Sequence, residues 1–285
     1  MLDCHIHSTV PQTNSAAQFR AALAAAGIAG GIVMSLPPPS FRSLTDERAI
    51  GGRYPRSADE RLDMLFTWMD GNGTVFPFYW IDPIASGAKR EVARAVRRGV
   101  KGFKVICNKF YPDDTRAMAT FREIAANEKP ILFHSGILWD GEPSSGYNRP
   151  VRFESLLEIP RLRFALAHIS WPWCDECIAV YGKFRHAHAK REEATAEMFI
   201  DTTPGTPAIY REEALTKLFT VGYAVTGNVL FGTDCSTASY DSAAAKGILK
   251  RDSAIYRKLK LPKEATRNIN GNNLLRFIGI DERNR

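Results

Sequence analysis

The chain has 285 residues, 45% hydrophobic and 24% charged, a make-up that supports a substantial core and excludes disordered and fibrous classes. Lys and Arg number 38 against 31 Asp and Glu, a net charge of +7 that raises the prospect of an anionic partner without naming one. No apolar run reaches the ~18 residues of a spanning helix, and the start Met1-Leu2-Asp3-Cys4-His5 lacks a basic segment followed by an apolar one. Neither a membrane partner nor secretion is expected. Five cysteines without the spacing of a disulfide framework point to a reducing compartment, so a cytoplasmic protein is expected.

Runs rich in β-branched and aromatic residues recur at 2–7, 30–36, 75–82, 102–107, 131–136, 163–169, 198–203 and 229–235. Their starts lie about 32 residues apart on average, room for a strand, a helix and two loops. Eight near-continuous apolar strands separated by amphipathic helices predict an α/β protein, a single (β/α)8 TIM barrel spanning 1–285 as one domain. An open doubly wound sheet is the alternative. Asn14 or Ser15 is placed to cap a first helix with Phe19, Leu23 and Ala26 on one face, and Gly27 to end it. Residues 88–98 set Val92 and Val96 against Arg90, Arg94 and Arg97, the pattern of a helix with a solvated basic face. Residues 37–74 form an insertion after the second strand, a loop in its first half and helical from 57 to 69. In a barrel it would lie at the C-terminal mouth and could cover a site there.

Only six histidines are present, so their placement is informative. His5 and His7 close the first strand two residues apart, which directs both imidazoles to one face, above Asp3. Alone, such a pair reads as core or capping histidines. His134 and His168, however, end the fifth and sixth strands and Asp234 the eighth. That gathers imidazoles and a carboxylate at the strand ends where barrel enzymes keep their chemistry. Imidazole and carboxylate are also the ligand types that hold a catalytic Zn2+.

This order of residues resembles the amidohydrolase superfamily. The opening Asp3-Cys4-His5-Ile6-His7 and the ending Asn268-Ile269-Asn270-Gly271-Asn272-Asn273-Leu274-Leu275-Arg276-Phe277 are similar to its amidohydrolase-related branch. That branch includes aminocarboxymuconate semialdehyde decarboxylase and several lactone or amide hydrolases. The resemblance implies one divalent metal ion, zinc first and manganese second, held by His5, His7, His134 and Asp234. It also implies catalytic roles for Asp234, as proton carrier, and for His168, beside the substrate carbonyl. Two-metal members of the superfamily use a carboxylated lysine on the fourth strand. Lys104 lies there and reads better as a substrate-anchoring cation; some members of the branch use no metal. The implied activity is hydrolysis of a small cyclic ester, lactone or amide by a metal-activated water. Nonoxidative decarboxylation of a small unsaturated or aromatic carboxylate on the same site is the alternative.

Trp139, Tyr147, Trp171 and Trp173 enrich the loops after strands five and six, where they suit a substrate ring as well as they suit packing of the barrel rim or a subunit contact. Trp139, Trp171, Trp173, Lys104 and Arg149 are therefore the expected substrate contacts, and a homo-oligomer stays open. Cys174 and Cys177 with His186 and His188 imitate a zinc-finger set, but the gap between the pairs is too short. On a helix the two histidines would also point about 200° apart. Basic and acidic residues alternate along the outer helices, as in 183–193 and 246–257, which suits a solvated surface rather than a nucleic-acid face. The expected partner is a small molecule, with no nucleic acid.

Overall fold

The structure, a computed structural model, describes residues 1–12, 15–44, 50–69, 71, 73–191 and 194–280. The candidate cap Asn14 and the last two residues of 183–193 lie outside them. The strands are β1 (Leu2–His7), β2 (Gly30–Met34), β3 (Val75–Trp80), β4 (Gly102–Val105), β5 (Ile131–Phe133), β6 (Arg163–Leu166), β7 (Glu197–Asp201), β8 (Val229–Leu230) and β9 (Cys235–Ser236). All pair in parallel in the order β8-β7-β6-β5-β4-β3-β2-β1-β9. The segment that runs from β8 into β9 closes the ring on β1, through Cys4 N–H to Phe231 O (2.8 Å), Asp234 N–H to His5 O (3.0 Å) and the pairing of Ile6 with Cys235. This sequential, closed order is the predicted α/β barrel and excludes the doubly wound alternative.

The α-helices are α1 (Ser15–Ala26), α2 (Ala58–Thr67), α3 (Ala88–Arg98), α4 (Thr115–Ala126), α5 (Cys174–Arg191), α6 (Ala208–Thr220), α7 (Ser242–Lys258), α8 (Lys263–Arg267) and α9 (Asn273–Phe277). Local chemistry sets their ends. Ser57 accepts from Glu60 N–H at the start of α2, and Asp241 accepts from Ala243 and Ala244 at the start of α7. Gly27, at φ 75°, ends α1 as its position predicted. Between β5 and β6 the crossover is built from 3-10 turns at Pro150–Glu158 instead of an α-helix.

Two apolar layers follow from the alternation of the strands. Val33, Tyr79, Phe103, Phe133, Leu166 and Ile200 face outward into a layer with Phe19, Leu65, Val92, Phe121 and Leu215 of the helices. Ile32, Phe78, Leu132, Ala165, Phe199 and Leu230 face inward, where α9 plugs the N-terminal end of the barrel with Leu274, Leu275 and Phe277. The ring of Phe277 lies 6.1 Å from that of Phe78 and 5.0 Å from that of Phe199. With one end filled, the opposite mouth is left for chemistry.

Strand β1 departs from simple alternation. Its register with β2 shifts between Asp3 and Ile6. Leu2 and Cys4 belong to the inner layer and Ile6 to the outer one. The extra residue turns His5 inward directly after Cys4, as a β-bulge does. Asp3 is accordingly not stacked beneath the two imidazoles, as strict alternation would place it. It accepts instead from the backbone N–H groups of His5 and Thr233 (both 3.0 Å), the Thr233 hydroxyl (2.6 Å) and the Tyr240 hydroxyl (2.8 Å).

The insertion after β2 packs Ile50 and Tyr54 on Leu36 and Val10, and Val10 N–H bonds Ile50 O at 2.6 Å. Arg61 of α2, 2% exposed, ties it down by donating to Leu36 O (3.2 Å), Trp80 O (2.8 Å) and the Tyr79 hydroxyl. None of the described residues of 37–57 lines the cavity at the mouth. Among the described residues, no helix is long and apolar enough to cross a membrane.

Candidate active site

A cavity of about 380 Å3 opens at the C-terminal ends of the strands. It is walled by His5 and His7 from β1, Lys104 from β4, His134 after β5, His168 after β6 and Asp234 between β8 and β9, with Trp80, Ile106, Trp139 and Trp171 at its sides. Three of the expected ligands converge. One ligand atom each from His5, His7 and Asp234 all lie within 4.8 Å of one another. Asp234 Oδ1 is 3.1 Å from His7 Nε2 and 3.5 Å from His5 Nε2. His134 stands outside that convergence: its Nε2 lies 3.2 Å from Ile137 O, and its ring packs 5.2 Å from that of His168. His168 in turn packs 5.1 Å from His5.

The backbone is under strain at two of these positions. His168, Ile169 and Ser170 have φ of 62°, 44° and 57° in succession, and Asp234 has φ 62°. Such values cost about 1–3 kcal/mol each for residues other than glycine and persist where surrounding structure imposes them. One such constraint is Gly205, where a Cβ would lie 2.8 Å from His168 Cβ, so bare backbone is packed against this histidine. The His168 Nδ1 is buried without a partner, which leaves Nε2 as the nitrogen available to the cavity.

The electrostatics suit neutral imidazoles opposite carboxylates. Burial pushes the His5 pKa down to about 4, with Lys104 adding to the effect and Asp201 opposing it. Burial also lowers His134, with His168 and Lys104 acting in the same sense, and it lowers His168 against the opposing pull of Asp234 and Asp201. Burial alone would raise Asp234, but the hydrogen bond from His7 and the nearby imidazoles outweigh it and hold the carboxyl far below its ordinary range. Lys104 is 1% exposed and has no hydrogen-bond or ion-pair partner among the described residues; burial brings its ammonium down to about 8 against the pull of Asp201 and Asp234. Unprotonated imidazole and ionised carboxylate are the forms that bind metal. The three converging donors therefore fit a divalent cation with coordination positions left open, the pattern of a catalytic centre.

The remaining expected contacts divide. Trp139, 81% exposed, and Trp171 line the cavity. Arg149 and Trp173 do not: Arg149 is ion-paired with Glu176 at 2.8 Å and lies over the Trp173 ring at 5.6 Å, beside a neighbouring groove. Cys174 and Cys177 both lie in the first turn of α5, the same helix that carries His186 and His188. Sequence reasoning passed over Asp201. It is fully buried at the end of β7, and its Oδ2 is 2.7 Å from His5 Nδ1. Its signal was a carboxylate after the apolar run Met198-Phe199-Ile200, the same feature that marked Asp234.

A closed parallel barrel that collects imidazoles and carboxylates at its C-terminal mouth and plugs the other end with its last helix defines the class of metal-dependent hydrolase barrels. Residues 3–280 match the amidohydrolase family, and the chain belongs to it. It is an enzyme of the metal-dependent hydrolase type, in a family of hydrolases and decarboxylases. No curated protein sequence matches the chain. Solved structures with this fold include an amidohydrolase from Burkholderia multivorans with bound HEPES (13% identity, TM-score 0.62, covering 98% of this chain and 99% of that one). A dihydroorotase from Campylobacter jejuni is also similar (14% identity, TM-score 0.62, 98% and 83%). So is a protein described as a probable 2-pyrone-4,6-dicarboxylic acid hydrolase from Acinetobacter baumannii with citric acid bound (13% identity, TM-score 0.59, 98% and 98%). At these identities the likeness is one of fold.

Proposed function

We propose that this chain is a single-domain cytoplasmic hydrolase of a small cyclic ester, lactone or amide, acting at a centre that holds one divalent ion, zinc ahead of manganese. The observation that carries the reading is the convergence of His5, His7 and Asp234 within 4.8 Å, beside a buried ammonium in the same cavity. His5 and His7 would hold the ion through Nε2 and Asp234 through Oδ1, with His134 as the neighbouring candidate for a fourth ligand. A bound divalent cation supplies Lewis acidity and makes water acidic enough to ionise near neutral pH.

The chain's own groups do the rest. Asp234 takes a proton from the attacking water on its carboxylate and passes it to the leaving oxygen or nitrogen. His168, neutral and protonated on Nε2, donates to the substrate carbonyl, which fits the partnerless Nδ1. The Lys104 ammonium anchors a substrate carboxylate, and Trp139 and Trp171 flank the ring. The partner is thus a small anionic molecule rather than nucleic acid or membrane.

Turnover of a panel of carboxylated lactones and cyclic amides by zinc- or manganese-loaded protein, run in 18O-labelled water, tests the reading. One 18O atom in the product, lost with Asp234→Ala, is expected. Carbon dioxide release without 18O incorporation would overturn hydrolysis in favour of decarboxylation.

A further inference from the structure

Asp201 has no place in the chemistry described above, yet it is among the most constrained side chains in the molecule. It is 0% exposed at the end of β7. Its Oδ2 lies 2.7 Å from His5 Nδ1, while its Oδ1 accepts from the Thr203 backbone N–H at 2.6 Å and from the Thr203 hydroxyl. Both oxygens are therefore committed. Bare backbone at Gly232 makes room for the arrangement, since a Cβ there would lie 2.4 Å from Thr203 Oγ1 and 3.0 Å from His5 Cβ.

An ionised carboxylate only accepts hydrogen bonds. The His5 proton must then sit on Nδ1, and the Nε2 lone pair is presented to the side where His7 and Asp234 converge. His7 has no such support among the described residues: its Nε2 contact is Asp234 itself, and it is 34% exposed. The two histidines of β1 are thus unequal, one braced from behind and one at the open rim. With a dication in place, the charges of Asp201 and Asp234 together would equal the ion's, leaving the Lys104 ammonium as the cavity's remaining cation.

We propose that Asp201 is a positioning residue of the metal centre, fixing the tautomer and direction of His5 and balancing the ion's charge from behind the ligand shell. The proposal rests on the metal-site reading of His5, His7 and Asp234. A carboxylate or carbonyl behind a ligating imidazole raises its basicity, and losing one typically costs 10–100-fold in metal affinity.

The test is zinc affinity of the metal-free full chain, measured by chelator competition, for wild type, Asp201→Asn, Asp201→Ala and Thr203→Val. It is paired with the 15N chemical shifts of the His5 ring in the metal-free state. Wild type should show the Nδ1–H tautomer. Asp201→Ala should lose it and bind zinc roughly 10–100-fold more weakly, with Asp201→Asn, which keeps an acceptor but no charge, in between. Thr203→Val, which keeps the ligands and Asp201 and removes one hydroxyl, should show a smaller loss and covers the case in which the Asp201 variants fail to fold. Wild-type affinity in a folded Asp201→Ala, or an unchanged tautomer, overturns the proposal. Absence of stoichiometric zinc binding by wild type would overturn the metal-site reading instead.

Discussion

Replacing Lys104 by Met should make the protein more stable and less active at once. The ammonium sits at 1% exposure with no hydrogen-bond or ion-pair partner among the described residues, and burial lowers it from 10.5 to about 8. Holding it charged at pH 7 therefore costs the folded state about 3 kcal/mol, at ~1.4 kcal/mol per tenfold change. Met keeps an unbranched, flexible side chain, one heavy atom shorter and without the charge. The gain should appear as a rise in Tm of roughly 6–12 °C, at about 2–4 °C per kcal/mol for a chain of this size. The pH dependence gives the sharper check. The folded pKa is below the unfolded one, so between about 8 and 10.5 the unfolded state binds more protons and wild-type stability rises with pH. The advantage of Lys104→Met should accordingly shrink across that window and vanish above it. Thermal unfolding of chelator-treated wild type and variant from pH 7 to 11 measures this. A variant less stable than wild type at pH 7, or an offset that does not change with pH, would refute the reasoning.

Three further outcomes follow from the same physics. Burial raises the Asp3 carboxyl to about 7, against four hydrogen bonds that favour its ionised form. In the metal-free protein it should withdraw stability as pH rises from about 4 to about 7, and Asp3→Asn should flatten that slope in urea titrations. Phe277→Ala should cost about 3–5 kcal/mol by opening a cavity under Phe78 and Phe199, read as a lowered urea midpoint with the metal ligands untouched. Arg211 and Asp252 form a buried pair between α6 and α7 at 2.6 Å. Asp252→Ala alone should cost about 3–5 kcal/mol, whereas the double change to Met and Leu should recover most of it.

The barrel was legible because a fully covered parallel strand must be apolar on both faces. Runs such as 75–82 and 163–169 therefore stand out, and their even spacing favoured a barrel, while the strand order was needed to exclude an open doubly wound sheet. The convergence of His5, His7 and Asp234 was legible from their conjunction, since each alone reads as a core or capping residue but together they mark the same end of several strands. The same signal was present at Asp201, but Thr202 and Thr203 after it give the look of a capped strand end. The β1 bulge was not legible, since alternation is all a short strand offers, and it decides that Cys4 and His5 both face inward. Arg149 and Trp173 were misleading for a related reason. They lie on irregular chain, where direction is set by tertiary partners such as Glu176 and not by period.

The central claim is that His5, His7 and Asp234 form a metal centre, and metal content tests it most directly. Protein purified without chelator should contain about one equivalent of zinc or manganese by elemental analysis, and His5→Ala and Asp234→Ala should lose it while remaining folded. A fully active wild type with no bound metal, or folded variants that retain a full equivalent, would contradict the account.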